Sequence, residues 1–237
     1  MKNILFAGAA LAAAIWCAAA VPAPAAPASA PTTWDNLVRT PSKKLKAVYL
    51  LPQADFRTYT KVMIDPAEVA FQKDWLRRLN DSASSFSARV SPADAQKIAN
   101  YARTGFDDIF AKAFTEAGYQ VVTEPGPDVL RLRPGVLDLY VAAPYPMTED
   151  MQRVYTVDAG EATFLLEARD STSGAVLGRA VDHRIAGDNS DRMPRSTVSN
   201  RGDFSALFKL WASASVKGLG ELKALSPVGA NGQVAAR

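Results

Sequence analysis

Between Ser91 and Gly118 the chain carries a segment that leaves few choices of fold. Ser91 is an N-cap residue, Pro92 takes the first helical position with its φ already set, and Asp94 puts negative charge in the first turn. Ile98, Tyr101, Ala102, Phe106, Ile109, Phe110, Ala113 and Phe114 then recur at helical spacing, and Gly118 supplies a stop. The pattern predicts a helix of roughly 26 residues with one wide apolar face. Such a face has to be covered by a sheet or by another helix.

The flanking sequence supplies both. Leu45–Leu51 is apolar and β-rich, is closed by Pro52, and reads as the first strand. Trp34–Leu37 reads as a short helical lead and Pro41–Lys44 as a turn. Tyr59–Ile64 is extended up to Asp65-Pro66, and Glu68–Leu79 fits a strand running into a helical turn. After the long helix come a strand at Tyr119–Thr123, a turn at Pro125–Asp128 and a long strand over Val129–Val141. In that strand the apolar parity changes between Leu130/Leu132 and Leu137/Leu139/Val141, so a bulge or kink is expected at Pro134-Gly135.

Glu161–Asp170 and Ala175–Ile185 form a β-hairpin around Ser171–Gly174. Gly187–Arg201 reads as a loop. Asn200 with Asp203 starts a second helix, whose stripe is Phe204, Leu207, Phe208, Trp211, Ala214 and Leu222 and whose end is weakened by Gly218 and Gly220. The expected fold is α+β: a mainly antiparallel sheet with a long helix and a C-terminal helix packed on one face.

Residues 1–25 read as a Sec signal peptide: Lys2 in the n-region, Ile4–Trp16 as the apolar h-region, then small residues. Ala18-Ala19-Ala20 and Ala23-Pro24-Ala25 are both A-x-A cleavage sites. Residues 26–33 read as an Ala/Pro-rich linker, 34–225 as a single domain and 226–237 as a disordered tail. Cys17 is the sole cysteine. Lipid-modified cysteines follow a small residue, whereas Trp16 precedes this one. Ordinary cleavage in the periplasm is therefore expected, with lipidation at Cys17 and an outer-membrane anchor as the alternative. A mature chain without a thiol has neither a disulfide nor a Cys-ligated zinc.

Composition narrows the function classes. Hydrophobic residues make up 48% and charged residues 22%, which supports a packed core over disorder. A net charge of +3 is too small to point to nucleic acid. His183, the single histidine, sits in Asp182-His183-Arg184 on an expected strand, and no G-x-S-x-G elbow accompanies it. One histidine without cysteine is no zinc set, and the glycine loops that hold phosphates are absent. No catalytic, cofactor or metal residue is therefore assigned. One enzymatic alternative remains, a carboxylate-dependent hydrolase using Glu161, Glu167, Asp170 and Asp182. It requires a pocket that holds two of them, with one carboxyl raised by burial.

A wider pattern joins these segments. Tyr49-Leu50-Leu51-Pro52 with Asp55 and Tyr59, Val62–Pro66, Phe71, Trp75, Ala117-Gly118-Tyr119, Pro125–Leu130, Gly160-Glu161-Ala162, Glu167–Ser171, Gly174 and Ala180-Val181-Asp182 together resemble the DUF3313 family of bacterial envelope proteins, many of them lipoproteins. The resemblance spans most of 34–222. It implies an envelope location and a non-enzymatic role, and it transfers no functional residue. The expectation is an exported binding or assembly accessory module whose partner is an envelope protein or cell-wall component, with no cofactor. A membrane is involved only if Cys17 is lipidated. Gly187–Arg201 and Ala143–Met151 are its candidate contact loops.

Overall fold

The computed structural model describes residues 31–83, 89–142, 154–156, 158–187, 193–195 and 197–230, with backbone alone at 154–156, 193–195 and 197–198. The long helix forms as its sequence requires. It is α2, Pro92–Glu116, capped by Ser91, whose side chain accepts from the Asp94 N–H at 3.1 Å. An i, i+4 ladder of Phe106, Phe110 and Phe114 is fully buried on one face. Tyr101, expected on that face, is instead 60% exposed, with the Arg201 guanidinium 4.3 Å from its ring centre.

Nine strands form one sheet. Its elements are β1 (Thr33–Trp34), β2 (Leu37–Thr40), β3 (Ala47–Leu50), β4 (Lys61–Ile64), β5 (Glu68–Phe71), β6 (Gln120–Val121), β7 (Val129–Val141), β9 (Gly160–Asp170) and β10 (Val176–Ala186). The order is β1-β2-β3-β10-β9-β7-β4-β6, with β5 also on β7. The pairs from β1 to β7 are antiparallel, while β4 and β5 run parallel to β7. Two further strands, β8 (Val154–Thr156) and β11 (Met193–Arg195), pair with each other. The helices are α1 (Trp75–Asp81), α2 and α3 (Thr197–Leu225). Both halves of the chain thus contribute to an α+β fold, as expected, with a mixed sheet where the parallel strands join.

Several local readings change in the tertiary structure. Trp34–Leu37 is a tight hairpin between β1 and β2, not a helical lead. Asp35 takes a φ of 54° there, and Leu37 is buried under Trp34 and Tyr49. Strand pairing overrides a weak local helical signal. Consequently Leu45–Leu51 holds the third strand rather than the first. Strand β1 begins inside the stretch read as linker.

The bulge in β7 also moves. Pro134 and Gly135 pair in regular register with Leu166 and Leu165, and the irregularity falls between Leu137 and Tyr140, where Asp138 has a φ of 50°. Pro134 is tolerated because the β4 ladder stops at Leu132 and the β5 ladder begins at Gly135, so its missing N–H falls in the gap. Gly160 faces the far side of the bulge at a φ of 142°, and a Cβ there would lie 1.9 Å from the Tyr140 carbonyl oxygen. Only glycine fits that close approach.

Helix α3 starts three residues before Asn200, within the segment read as a loop, and runs through Gly218 and Gly220 to Leu225. The start of the expected tail is ordered: Val228 is 2% exposed, and its N–H and C=O pair with Ala54 and Gln53 at 2.9 Å. The leader with Cys17, the loop at Ala143–Met151, residues 188–192 and residues 231–237 lie outside the described residues.

Candidate functional site

The four carboxylates of the hydrolase reading occupy separate places. Glu161 lies 3.5 Å from His183 Nε2, on the sheet face away from the helices. On that same face Glu167 accepts from Arg169 Nε at 2.6 Å and Arg179 Nε at 2.8 Å. Burial pushes the Glu167 carboxyl up, but hydrogen bonds from the two arginines outweigh it and hold the group below the ordinary range. Asp170 organises the hairpin turn. Its Oδ1 accepts from the Ser173 N–H, the Ser173 hydroxyl and the Thr172 N–H, and its Oδ2 from the Tyr59 hydroxyl at 2.9 Å. The Ser173 N–H, then its hydroxyl, lower this carboxyl as well.

Asp182 is 4% exposed and accepts from Trp211 Nε1 at 2.9 Å, the Lys46 N–H at 2.9 Å and Arg184 Nε at 2.5 Å. None of these four groups lines the cavity described below, and neither Glu167 nor Asp170 is raised. Glu167, Asp170 and Asp182 are structural anchors: the first fastens the outer sheet face, the second the hairpin turn, the third the helix α3. Among the described residues no group of three His, Cys, Asp or Glu is arranged to hold a metal ion.

A space that a ligand could enter lies elsewhere, between the sheet and the C-terminal half of α3. It is a cavity of about 490 Å³. Its floor is the helix-facing side of β3, β7, β9 and β10, including Leu50, Leu132, Leu166 and Ala180. Phe56 and Phe114 close its inner end. Its other wall is Ala214, Gly218, Leu219 and Leu222 of α3, and Pro41–Leu45 with Glu221 forms the more exposed mouth.

The origin of the space can be read in three tapers of side-chain size. On β9 the helix-facing residues run Phe164, Leu166, Ala168; on β10 their partners run Asp182, Ala180, Gly178. On α3 the sequence towards the same end is Trp211, Ala214, Gly218. Phe164 stacks on Trp211 with ring centres 5.3 Å apart, so one end is filled. At the other end β9, β10 and α3 present Ala168, Gly178 and Gly218, beside Leu132 of β7 and Leu50 of β3. A Cβ at Gly218 would meet nothing within 4 Å, so no neighbouring atom requires glycine there. Glycine in a helix costs about 1 kcal/mol relative to Ala, and here its consequence is open volume.

The mouth is electrically distinct from the interior. Lys44 Nζ forms an ion pair with Glu221, joining the β2–β3 loop to α3. The Lys44 carbonyl accepts from Arg184 Nη2 at 3.1 Å, and Ser42 Oγ accepts from the Lys44 and Leu45 N–H groups, so the loop is held in place. Arg179 also lines the cavity, but its guanidinium is committed to Glu167 and Asp35. The sequence reading missed this site because Gly218 was taken as a helix weakener. The signal was present in the small residues, but their alignment depends on strand register.

The DUF3313 family model, described as a protein of unknown function, matches residues 30–215. The chain belongs to the DUF3313 family. The family resemblance now has a structural content. Asp65 pairs with Arg131, while Glu167, Asp170 and Asp182 are the anchors described above. Ser171 Oγ both accepts from and donates to Gly126, tying the Pro125–Asp128 turn to the hairpin. No curated protein matches the sequence.

Among solved structures the DUF3313 chain is similar to a PelC dodecamer from Paraburkholderia phytofirmans, with TM-score 0.37 and 14% identity, covering 73% of this chain and 97% of that one. A DUF330 protein from Xanthomonas campestris gives TM-score 0.39 and 12% identity over 78% and 93% of the two chains. A neuraminyllactose-binding hemagglutinin homolog from Helicobacter pylori gives 0.33 and 10% over 73% and 89%. Likenesses at this level tie the chain to no function of those proteins. Among the described residues no helix is long and apolar enough to cross a membrane.

Proposed function

We propose that this DUF3313 chain is an exported, non-enzymatic envelope protein that binds an apolar small molecule in the cavity between the sheet and α3. The observation that carries the reading is the cavity itself. Its volume of about 490 Å³ falls within the range of roughly 300–1,000 Å³ usual for small-molecule sites, and its walls are apolar with a few polar groups at one end. The leader supports export, and the engagement of Glu167 with two arginines, Asp170 with the hairpin turn and Asp182 with Trp211 favours a non-enzymatic reading over the hydrolase.

The test uses full protein purified from its native envelope and a neutral fluorophore, phenylnaphthylamine. Fluorescence enhancement on binding is expected, and Gly218→Leu is expected to abolish it. Absence of enhancement in the unaltered protein, or enhancement undiminished by Gly218→Leu, overturns the reading. Intact mass of the same preparation tests the export route. A chain beginning at Val21 or Ala26 is expected, whereas a mass beginning at Cys17 with added diacylglycerol places the site at a membrane surface.

A further inference from the structure

The mouth of the cavity says more about the ligand than its walls do. Two adjacent lysines, Lys43 and Lys44, stand on the loop that forms it. Among the described residues Lys43 takes part in no ion pair, and its side chain is exposed. Lys44 already holds a carboxylate, that of Glu221, whose side chain is 62% exposed on the opposite rim. A carboxylate therefore sits on Lys44 at the rim of an apolar chamber, and it belongs to a flexible, solvated side chain that an incoming anion can replace. The interior offers the reverse environment: from Leu45 inward the lining passes through Leu222 and Leu132 to Phe56 and Phe114. An apolar space with cationic groups at its mouth fits a molecule with a tail and a charged head.

Resting on the reading of the cavity as a binding site, we propose that its ligand is a single-chain amphiphile with an anionic head group. The chain lies along the small-residue walls formed by Ala180 and Gly218. The head sits at Lys43 and Lys44, where it displaces Glu221. A volume of about 490 Å³, in the lower half of the usual range, suits one chain and not two. Each buried CH₂ contributes about 0.8 kcal/mol, so the chain supplies affinity. The lysines, which are exposed, supply the choice between anionic and neutral heads.

The experiment is displacement of bound phenylnaphthylamine from the full protein by hexadecanoate, cetyl alcohol and lysophosphatidylglycerol, each below its micelle threshold. Hexadecanoate is expected to compete about five-fold better than the alcohol at low salt, an advantage that shrinks as salt rises. Lys43→Gln with Lys44→Gln removes that advantage, whereas Glu221→Gln enlarges it, because the competing carboxylate is gone. A purely structural role for the ion pair would move both competitors together. Lysophosphatidylglycerol outcompeting hexadecanoate supports the proposal with a lipid source, and the reverse supports it with a free acid. Equal competition by acid and alcohol, unchanged by the lysine variants while the fluorophore still binds, overturns the head-group inference and leaves the cavity reading standing. No fluorophore binding at all overturns both.

Discussion

The two halves of α3 face the same sheet and meet it in opposite ways. From Phe204 to Trp211 the helix presents aromatic rings to Phe106 and Phe164, with centres 5.3–6.2 Å apart in a closed stack. From Ala214 to Leu225 it presents alanine, serine, glycine and leucine to a floor of leucine, alanine and glycine, and about 490 Å³ stays open. The first half acts as the anchor of the fold and the second as a wall of a chamber. Tight packing and open volume are thus separated along one helix. A protein can leave a cavity beneath part of a helix when the rest is over-determined by packing and by a buried hydrogen bond.

Substitutions on either side of this divide should behave differently, and the largest effect is expected in the aromatic half. Phe164→Ala removes the ring that touches Phe106, Phe110 and Trp211 together, and should destabilise the fold by about 4 kcal/mol in urea titration. A loss no greater than that from a surface alanine would break the distinction between the halves. Next comes Asp182→Ala, which strands the Trp211 indole N–H and the Lys46 backbone N–H and should cost about 3 kcal/mol. Asp182→Asn keeps an acceptor for the indole and should cost less.

In the chamber half the sign reverses. Gly218→Leu gains helix propensity and its Cβ meets nothing within 4 Å, so it should stabilise by about 1 kcal/mol while ligand binding is lost. Destabilisation by this variant would mean that the glycine has a packing role after all.

The smallest effect concerns acid. Glu167 and Asp170 have carboxyls held below their ordinary range, so their stabilising contribution is present above the unfolded pKa values of about 4 and is lost as the pH falls through the lower folded values. Asp107 works against them. Burial raises its carboxyl although it accepts from the Ala67 N–H, so protonation there favours the folded state. Thermal melts from pH 6 to pH 2 should show a net fall, reduced in Glu167→Gln. A rise in stability across that window would show that the outer-face arginines do not act through Glu167.

Much of the fold was legible because its signals are local. The Ser91-Pro92 cap, the 106/110/114 phenylalanine ladder and the hairpin turn at Ser171–Gly174 each act within a few residues, and each formed where its sequence indicates. Trp34–Leu37 misled because a short helical signal is weaker than pairing with a neighbouring strand. The bulge in β7 was foreseen from the change of parity, but its position was not. Pro134 looked like the break, and only the gap between β4 and β5 shows why a proline is accommodated there without one.

The sequence by itself determined the α+β class, the long helix and the hairpin, since capping, periodicity and turn chemistry are properties of neighbouring residues. The chamber was decided by tertiary structure alone. Phe164-Leu166-Ala168, Asp182-Ala180-Gly178 and Trp211-Ala214-Gly218 are three unremarkable stretches in the chain. The register that pairs Phe164 with Asp182 and Ala168 with Gly178 aligns two of them, and Trp211, bonded to Asp182 and stacked on Phe164, sets the third beside them. Volume is left where small residues from distant segments coincide, and coincidence in space is a property of packing, not of any one segment.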